Sequence, residues 1–230
     1  MMDLPEIFDR VETWVFDLDN TLYPASSKLF DQISLRMTVF IAEYFDIAPD
    51  AAFARQKELF RRYGTTLRGL MTEHGMEPEP FLEHVHKIDV GLVEPNPDLA
   101  LKLGLLPGRK LIFTNSSRVH AQRVMERIGI TKYFEEIFDI SDADYIPKPD
   151  HASYAAMLRR HEVSPETACM IDDIPVNLET ANALGMATVW LRGERDWGTF
   201  AMRDAICKKI DFVADDLCEW LDLVLARRGT

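Results

Sequence analysis

Apolar positions along this chain change their period twice. The first run, Trp14, Val15 and Phe16, is unbroken, as expected of a strand buried on both faces. From about residue 24 to 92 the spacing turns helical. Leu29, Ile33, Met37, Phe40 and Tyr44 lie three or four residues apart, with Ser26 and Ser27 as candidate N-caps. A second helix is predicted over "PDAAFARQKELFRRYG", with Phe53, Phe60 and Tyr63 recurring and Gly64 as its stop, and shorter helices over "LRGLMTEHG" and "EPFLEHVHKI". From Lys110 the runs "KLIFTN", "EIFDI", "ACMIDD", "ATVWL" and "DFVADD" read as strands, separated by helical patterns. One of these places Ala121, Val124, Met125 and Ile128 on one face and closes at Gly129.

Strands alternating with helices predict an α/β fold, a Rossmann-like parallel sheet opened by residues 13–16. The helical block between its first two strands reads as an insertion. The expected division is an α/β core of residues 1–23 and 93–230 and a helical cap of residues 24–92, with Pro95 and Pro97 marking the return.

The 230 residues are 47% hydrophobic, enough for a substantial core, and carry a formal charge of -12, which opposes binding to nucleic acid or to an anionic membrane. No leader or membrane span is recognised, so a cytoplasmic location is expected, with a small molecule as partner; the oligomeric state is not legible. Cys169, Cys207 and Cys218 are odd in number and widely spaced, which gives no disulfide or zinc pattern. The "RGERDWGTF" loop with Trp197 suggests no function.

Candidate chemistry gathers where strands end, the ligand side of a parallel sheet. The first run leads into Asp17 and Asp19, "KLIF" into Thr114, Asn115 and Ser116, and "ACMI" into Asp172 and Asp173, while Lys148 stands between two prolines before a helix. Each alone is more often a turn or cap residue, and Lys148 alone a solvated lysine. Together they imply convergence. Like charges about 5 Å apart cost roughly 3 kcal/mol per pair at an effective dielectric near 20, more than one lysine offsets. A divalent cation supplies the balance, and an all-oxygen donor set favours Mg²⁺. The Thr114 hydroxyl and the amides opening the next helix suit phosphate oxygens.

"FDLDNTLY", "LIFTN", Lys148 of "IPKPD" and "MIDDIPVN" resemble, in order, the four motifs of the haloacid dehalogenase-like phosphohydrolases, and the helical insertion resembles that superfamily's first cap type. The resemblance implies Asp17 as a nucleophile forming an aspartyl-phosphate and Asp19 as the acid and then the base. It implies Thr114 and Asn115 on the phosphoryl group, Lys148 neutralising charge, and Mg²⁺ on Asp17, the Asp19 carbonyl and the Asp172–Asp173 pair. Of that pair Asp173 is favoured as direct ligand. Many relatives carry a further acid where this chain has Asn177.

"NTLYP", "RRYGTTLRGL", "VHKID" and "FTNSSRVHAQRVMERIGI" further resemble the pyrimidine 5′-nucleotidase branch. That implies UMP or CMP as substrate, with Arg68 and Tyr63 as cap residues facing the site, His86 or Asp89 at the hinge, and a pocket too small for a purine. The alternatives are another small phosphate ester, such as phosphoglycolate or a sugar phosphate, a haloacid dehalogenase, or a receiver-like signalling module. Asp19 and the Asp172–Asp173 pair argue against a dehalogenase; the cap and the order of the acids argue against a receiver.

Overall fold

The computed structural model describes residues 4–193 and 210–229; Trp197 with most of its loop, and Cys207, lie outside the described residues. Six strands form one fully parallel sheet in the order β3-β2-β1-β4-β5-β6: β1 Thr13–Phe16, β2 Arg109–Phe113, β3 Glu136–Phe138, β4 Ala168–Asp172, β5 Ala187–Leu191 and β6 Phe212–Ala214. The chain starts in the middle of the sheet. It builds outward to β3 on one side, then crosses back to β4 and continues to β6, so β1 is the switch point.

Side chains alternate between the two faces. Trp14, Phe16, Ile112 and Ile171 pack with helices α5 (Pro97–Leu105), α6 (Arg118–Ile128) and α9 (Leu217–Arg228). Val15, Leu111, Phe113 and Met170 pack with α7 (His151–Arg160) and α8 (Pro175–Ala183). With β1 wholly buried, every one of its positions must be apolar or hydrogen-bonded, which explains its unbroken run. Helix α6 buries the predicted face, with Gly129 at φ 89 ending it. Helices α5 and α9 were not anticipated, although Leu217, Trp220, Leu221, Val224 and Leu225 carry helical spacing and are buried. No helix among the described residues is long and apolar enough to cross a membrane.

Between β1 and β2 the chain forms α1 (Leu29–Phe45), α2 (Pro49–Tyr63), α3 (Thr66–His74) and α4 (Pro78–Val85), with α1 packed on α2 and α4 and α2 on α3. Two details differ from the sequence expectation. Lys28, in the left-handed conformation at φ 60, is the N-cap residue of α1; Ser26 and Ser27 belong to a preceding 3-10 turn, from which the Ser27 hydroxyl accepts the Leu29 N–H at 3.3 Å. On α2 the buried face is Ala52, Gln56 and Leu59, whereas Phe53 and Phe60 are exposed. The aromatic spacing misled because Gln56 can be buried: it accepts a hydrogen bond from Thr38 at 2.8 Å and donates to Ser34 at 3.2 Å. Gly69 permits the close approach of α3 to α2, since a Cβ there would stand 2.7 Å from a Leu59 methyl.

Candidate active site

Asp17 follows the last residue of β1, and its N–H still donates to Ile171 at 2.8 Å, so the strand ladder fixes its backbone at the switch point. Asn20 then takes a left-handed conformation at φ 63, tolerated by Asn. The resulting turn carries Thr21 back, where its hydroxyl donates to Asp17 Oδ2 at 3.3 Å.

Lys148 reaches the same point from the loop before α7. Its ammonium donates to Asp17 Oδ1 at 2.8 Å, to Asp172 Oδ2 at 2.7 Å and to the Phe113 carbonyl at 2.8 Å, on a residue only 2% exposed. Three protons meet three acceptors. Asn115, expected beside a phosphate, holds this lysine: its Oδ1 accepts the Lys148 N–H at 2.8 Å and its Nδ2 donates to the Lys148 carbonyl at 3.2 Å. Thr114 is buried at the cavity floor, and its hydroxyl accepts the Ser116 N–H at 3.0 Å.

At the end of β4 the two acids differ. Asp172 is fully buried and bound by Lys148, by the Ile174 N–H at 2.8 Å and by Asn177, whose Nδ2 lies 2.9 and 3.0 Å from its two oxygens. Asp173 is half-buried, and no side chain among the described residues donates to its carboxylate. Oxygens of Asp17, Asp172 and Asp173 lie within 4.8 Å of one another. Burial, reinforced by the neighbouring carboxylates and only partly offset by Lys148, pushes Asp17 up to about 7 and Asp173 well above the carboxylate range. Burial would lower the Lys148 pKa, but Asp17 and Asp172 outweigh it and raise it.

Asp19 stands apart from that triad. Its Oδ1 accepts from Tyr23 at 2.6 Å and faces His120 Nε2 at 2.8 Å, while its Oδ2 accepts from Ser116 at 2.6 Å. Burial alone would raise its pKa; attraction to His120 and the three hydrogen bonds prevail and hold it well below the usual range. The Asp19 carboxylate is thus committed to Tyr23, Ser116 and His120 and is not part of the triad.

Asp17, Asp19, Thr114, Lys148 and Asp173 open into a cavity of about 770 Å³ between the helical block and the sheet edge, whereas Asp172 and His120 are buried behind it. Phe30, Ile33, Met37, Phe60, Phe81 and Leu82 give it apolar walls, and Gln56, Lys57, Arg61 and Arg68 bring polar groups. Arg68 lines it from the first turn of α3. The Tyr63 ring does so too, but its hydroxyl donates to Glu73 at 2.8 Å within a cluster containing Arg55 and Arg62.

Residues 11–185 match the haloacid dehalogenase-like hydrolase family. The chain belongs to this family. It is 28% identical over 198 residues to a glyceraldehyde 3-phosphate phosphatase of Methanopyrus kandleri, covering 79% of this chain and 84% of that one. With a ribulose-1,5-bisphosphate 5-phosphatase of Halopiger xanaduensis the identity is 27%, covering 91% and 98%. Among solved structures, the L-2-haloacid dehalogenase of Xanthobacter autotrophicus superposes with a TM-score of 0.59 at 18% identity over 96% of this chain and 99% of that one, a likeness of fold.

Two site residues of this haloacid dehalogenase-like hydrolase, Tyr23 and His120, have no place in the sequence expectation; Ser116 and Asn177 are named there without a role, and His86, expected at the hinge, is in contact with His120. Tyr23 lies four residues beyond Asp19 in the turn after β1, and Ser116 directly follows the Thr114-Asn115 pair. The clearest available signal was His120, a polar residue next to the apolar stripe of α6. Chemically, the triad is an all-oxygen donor set suited to a hard divalent cation. Asp173, to which no side chain among the described residues donates, is the member whose carboxylate is not already engaged.

Proposed function

We propose that this chain is an Mg²⁺-dependent phosphomonoesterase acting through an aspartyl-phosphate on Asp17. The observation that carries this is the convergence of Lys148, Asp17, Asp172 and Asp173, with Asp19 two residues beyond Asp17 and turned away from the triad. A haloacid dehalogenase needs the attacking acid; the additional acidic pair suits a cation and a phosphate. Mg²⁺ would be held by Asp17 and Asp173, with Asp172 and the Asp19 carbonyl beside them, and when bound supplies charge stabilisation for the phosphoryl oxygens.

Lys148 fixes Asp17 Oδ1, which directs Oδ2 to attack phosphorus. The bond from phosphorus to the ester oxygen breaks, and the leaving oxygen takes a proton from Asp19. A phosphate anion entering beside Asp19 disfavours its charged form, which promotes protonation. Water then attacks the phosphorus of the aspartyl-phosphate, Asp19 accepts its proton, and Asp17 is released with inorganic phosphate. Residues 24–92 serve as a cap over residues 1–23 and 93–230 and exclude water from this chemistry.

For the substrate, the apolar walls and the neighbouring Lys57 and Arg68 favour a nucleoside monophosphate, with UMP or CMP first. A cavity of about 770 Å³ does not support exclusion of purines by size, so discrimination rests on these polar groups. The two relatives act on phosphorylated sugars, which supports a second assignment to a triose or pentose phosphate. Initial rates with Mg²⁺ across UMP, CMP, AMP, GMP, glyceraldehyde 3-phosphate, ribulose 1,5-bisphosphate and phosphoglycolate separate the two. The highest kcat/KM on a pyrimidine nucleotide supports the first; a sugar phosphate above every nucleotide supports the second.

A further inference from the structure

We infer that His120 is a positioning residue for the acid–base carboxylate of Asp19, with its ring plane set by His86 at the return from the helical block. This inference rests on the role proposed for Asp19.

His120 belongs to α6 of the sheet layer and is fully buried, with Nε2 2.8 Å from Asp19 Oδ1. Its other ring nitrogen is buried without a partner among the described residues. A leucine would fill similar space without leaving a buried nitrogen unpaired, which is costly, so packing alone does not account for an imidazole here. Its polarity is spent on Asp19.

The ring is also held from above. His86 follows α4 and stacks on His120, with centroids 4.5 Å apart and planes 14° from parallel, and its Nδ1 lies 2.8 Å from the Ser117 hydroxyl. Arg123 of α6 binds the carbonyls of His86 and Ile88 at 2.9 and 2.8 Å. Tyr23 holds Asp19 from the outgoing connection to the helical block. Asp19 is therefore gripped by groups tied to both connections, while Ser116 fixes its second oxygen. Without His120, Oδ1 keeps only Tyr23 and Oδ2 only Ser116, so the carboxyl loses one of the three contacts that orient it. Proton delivery to the leaving oxygen should then suffer more than substrate binding.

The test compares His120→Leu with His120→Gln, whose amide nitrogen extends to about where Nε2 stands, using p-nitrophenyl phosphate and β-glycerophosphate with Mg²⁺. His120→Leu is expected to lower kcat on β-glycerophosphate about 10-fold more than on p-nitrophenyl phosphate, because only the alkoxide leaving group needs the proton. KM should be unchanged, and His120→Gln should recover most of the loss. Equal losses on both esters, or identical behaviour of the Leu and Gln variants, would overturn the inference. If His120→Leu does not fold, His120→Asn takes its place, since its shorter amide cannot span to Asp19. Asp19→Asn is measured alongside. Leaving-group dependence in Asp19→Asn but not in His120→Leu removes only the role of His120; its absence in both removes the acid–base role of Asp19.

Discussion

The Lys148 ammonium lies 2.8 Å from the Asp17 carboxylate on a side chain almost wholly withdrawn from water. A buried lysine retains its charge only where acceptors replace the water it loses, and here two carboxylates and a carbonyl do so. Removing one member leaves the others buried and uncompensated, typically at a cost of about 3–5 kcal/mol. Lys148→Met is therefore expected to lower the Tm of the metal-free protein by on the order of 10 °C. It should also abolish turnover, with partial recovery of Tm but not of activity when Mg²⁺ is added. A melting temperature within a degree or so of wild type would show that the lysine is not balancing the acids.

Asn115 gives a milder version of the same defect. Its side chain contacts both backbone polar groups of Lys148, so Asn115→Ala should displace the lysine and lower kcat with a smaller loss of stability, about 1–2 kcal/mol. Steady-state kinetics with thermal melts check this. A rise in KM for phosphate esters at unchanged kcat would restore the direct phosphate contact expected from sequence.

The crowded acids make metal-free stability depend on pH. Asp17 is raised to about 7 by burial and by its acidic neighbours, and Asp173 is raised as well. From the ordinary carboxylate range up to about pH 7 the folded chain binds more protons than the unfolded one, so stability falls as pH rises through that window. Above it the full repulsion is present, and a cation relieves it. The rise in Tm on adding Mg²⁺ should be larger at pH 8 than at pH 5, as read by calorimetry. Equal rises would show that the cation binds elsewhere.

Arg68 lines the cavity from the first turn of α3. Arg68→Ala is expected to raise KM for UMP about 10-fold, the loss of one charged hydrogen bond, and to leave p-nitrophenyl phosphate unaffected. Equal effects on both would mean that Arg68 acts on the phosphate or on packing.

The strands and the acids were legible because their signals are local. A β-strand buried on both faces must be an apolar run, and the carboxylate after such a run falls on the ligand side of a parallel sheet. Partners brought from far along the chain were not. His120 meets Asp19 across 101 residues, and no periodicity encodes that contact. Asn115 was identified, but its contact with the Lys148 backbone, 33 residues away, is visible only in the structure. On α2 the aromatic residues drew attention to the wrong face, since a hydrogen-bonded glutamine replaces an apolar side chain in the interface.

Asp17 as the attacking group is the central claim, and an acyl phosphate can be reduced by borohydride where a free carboxylate cannot. Enzyme quenched during turnover of a good substrate and treated with borohydride should carry homoserine in place of Asp17 in its peptide map, and Asp17→Asn should show neither the product nor turnover. Modification at another residue, or turnover by Asp17→Asn comparable to wild type, would contradict the account.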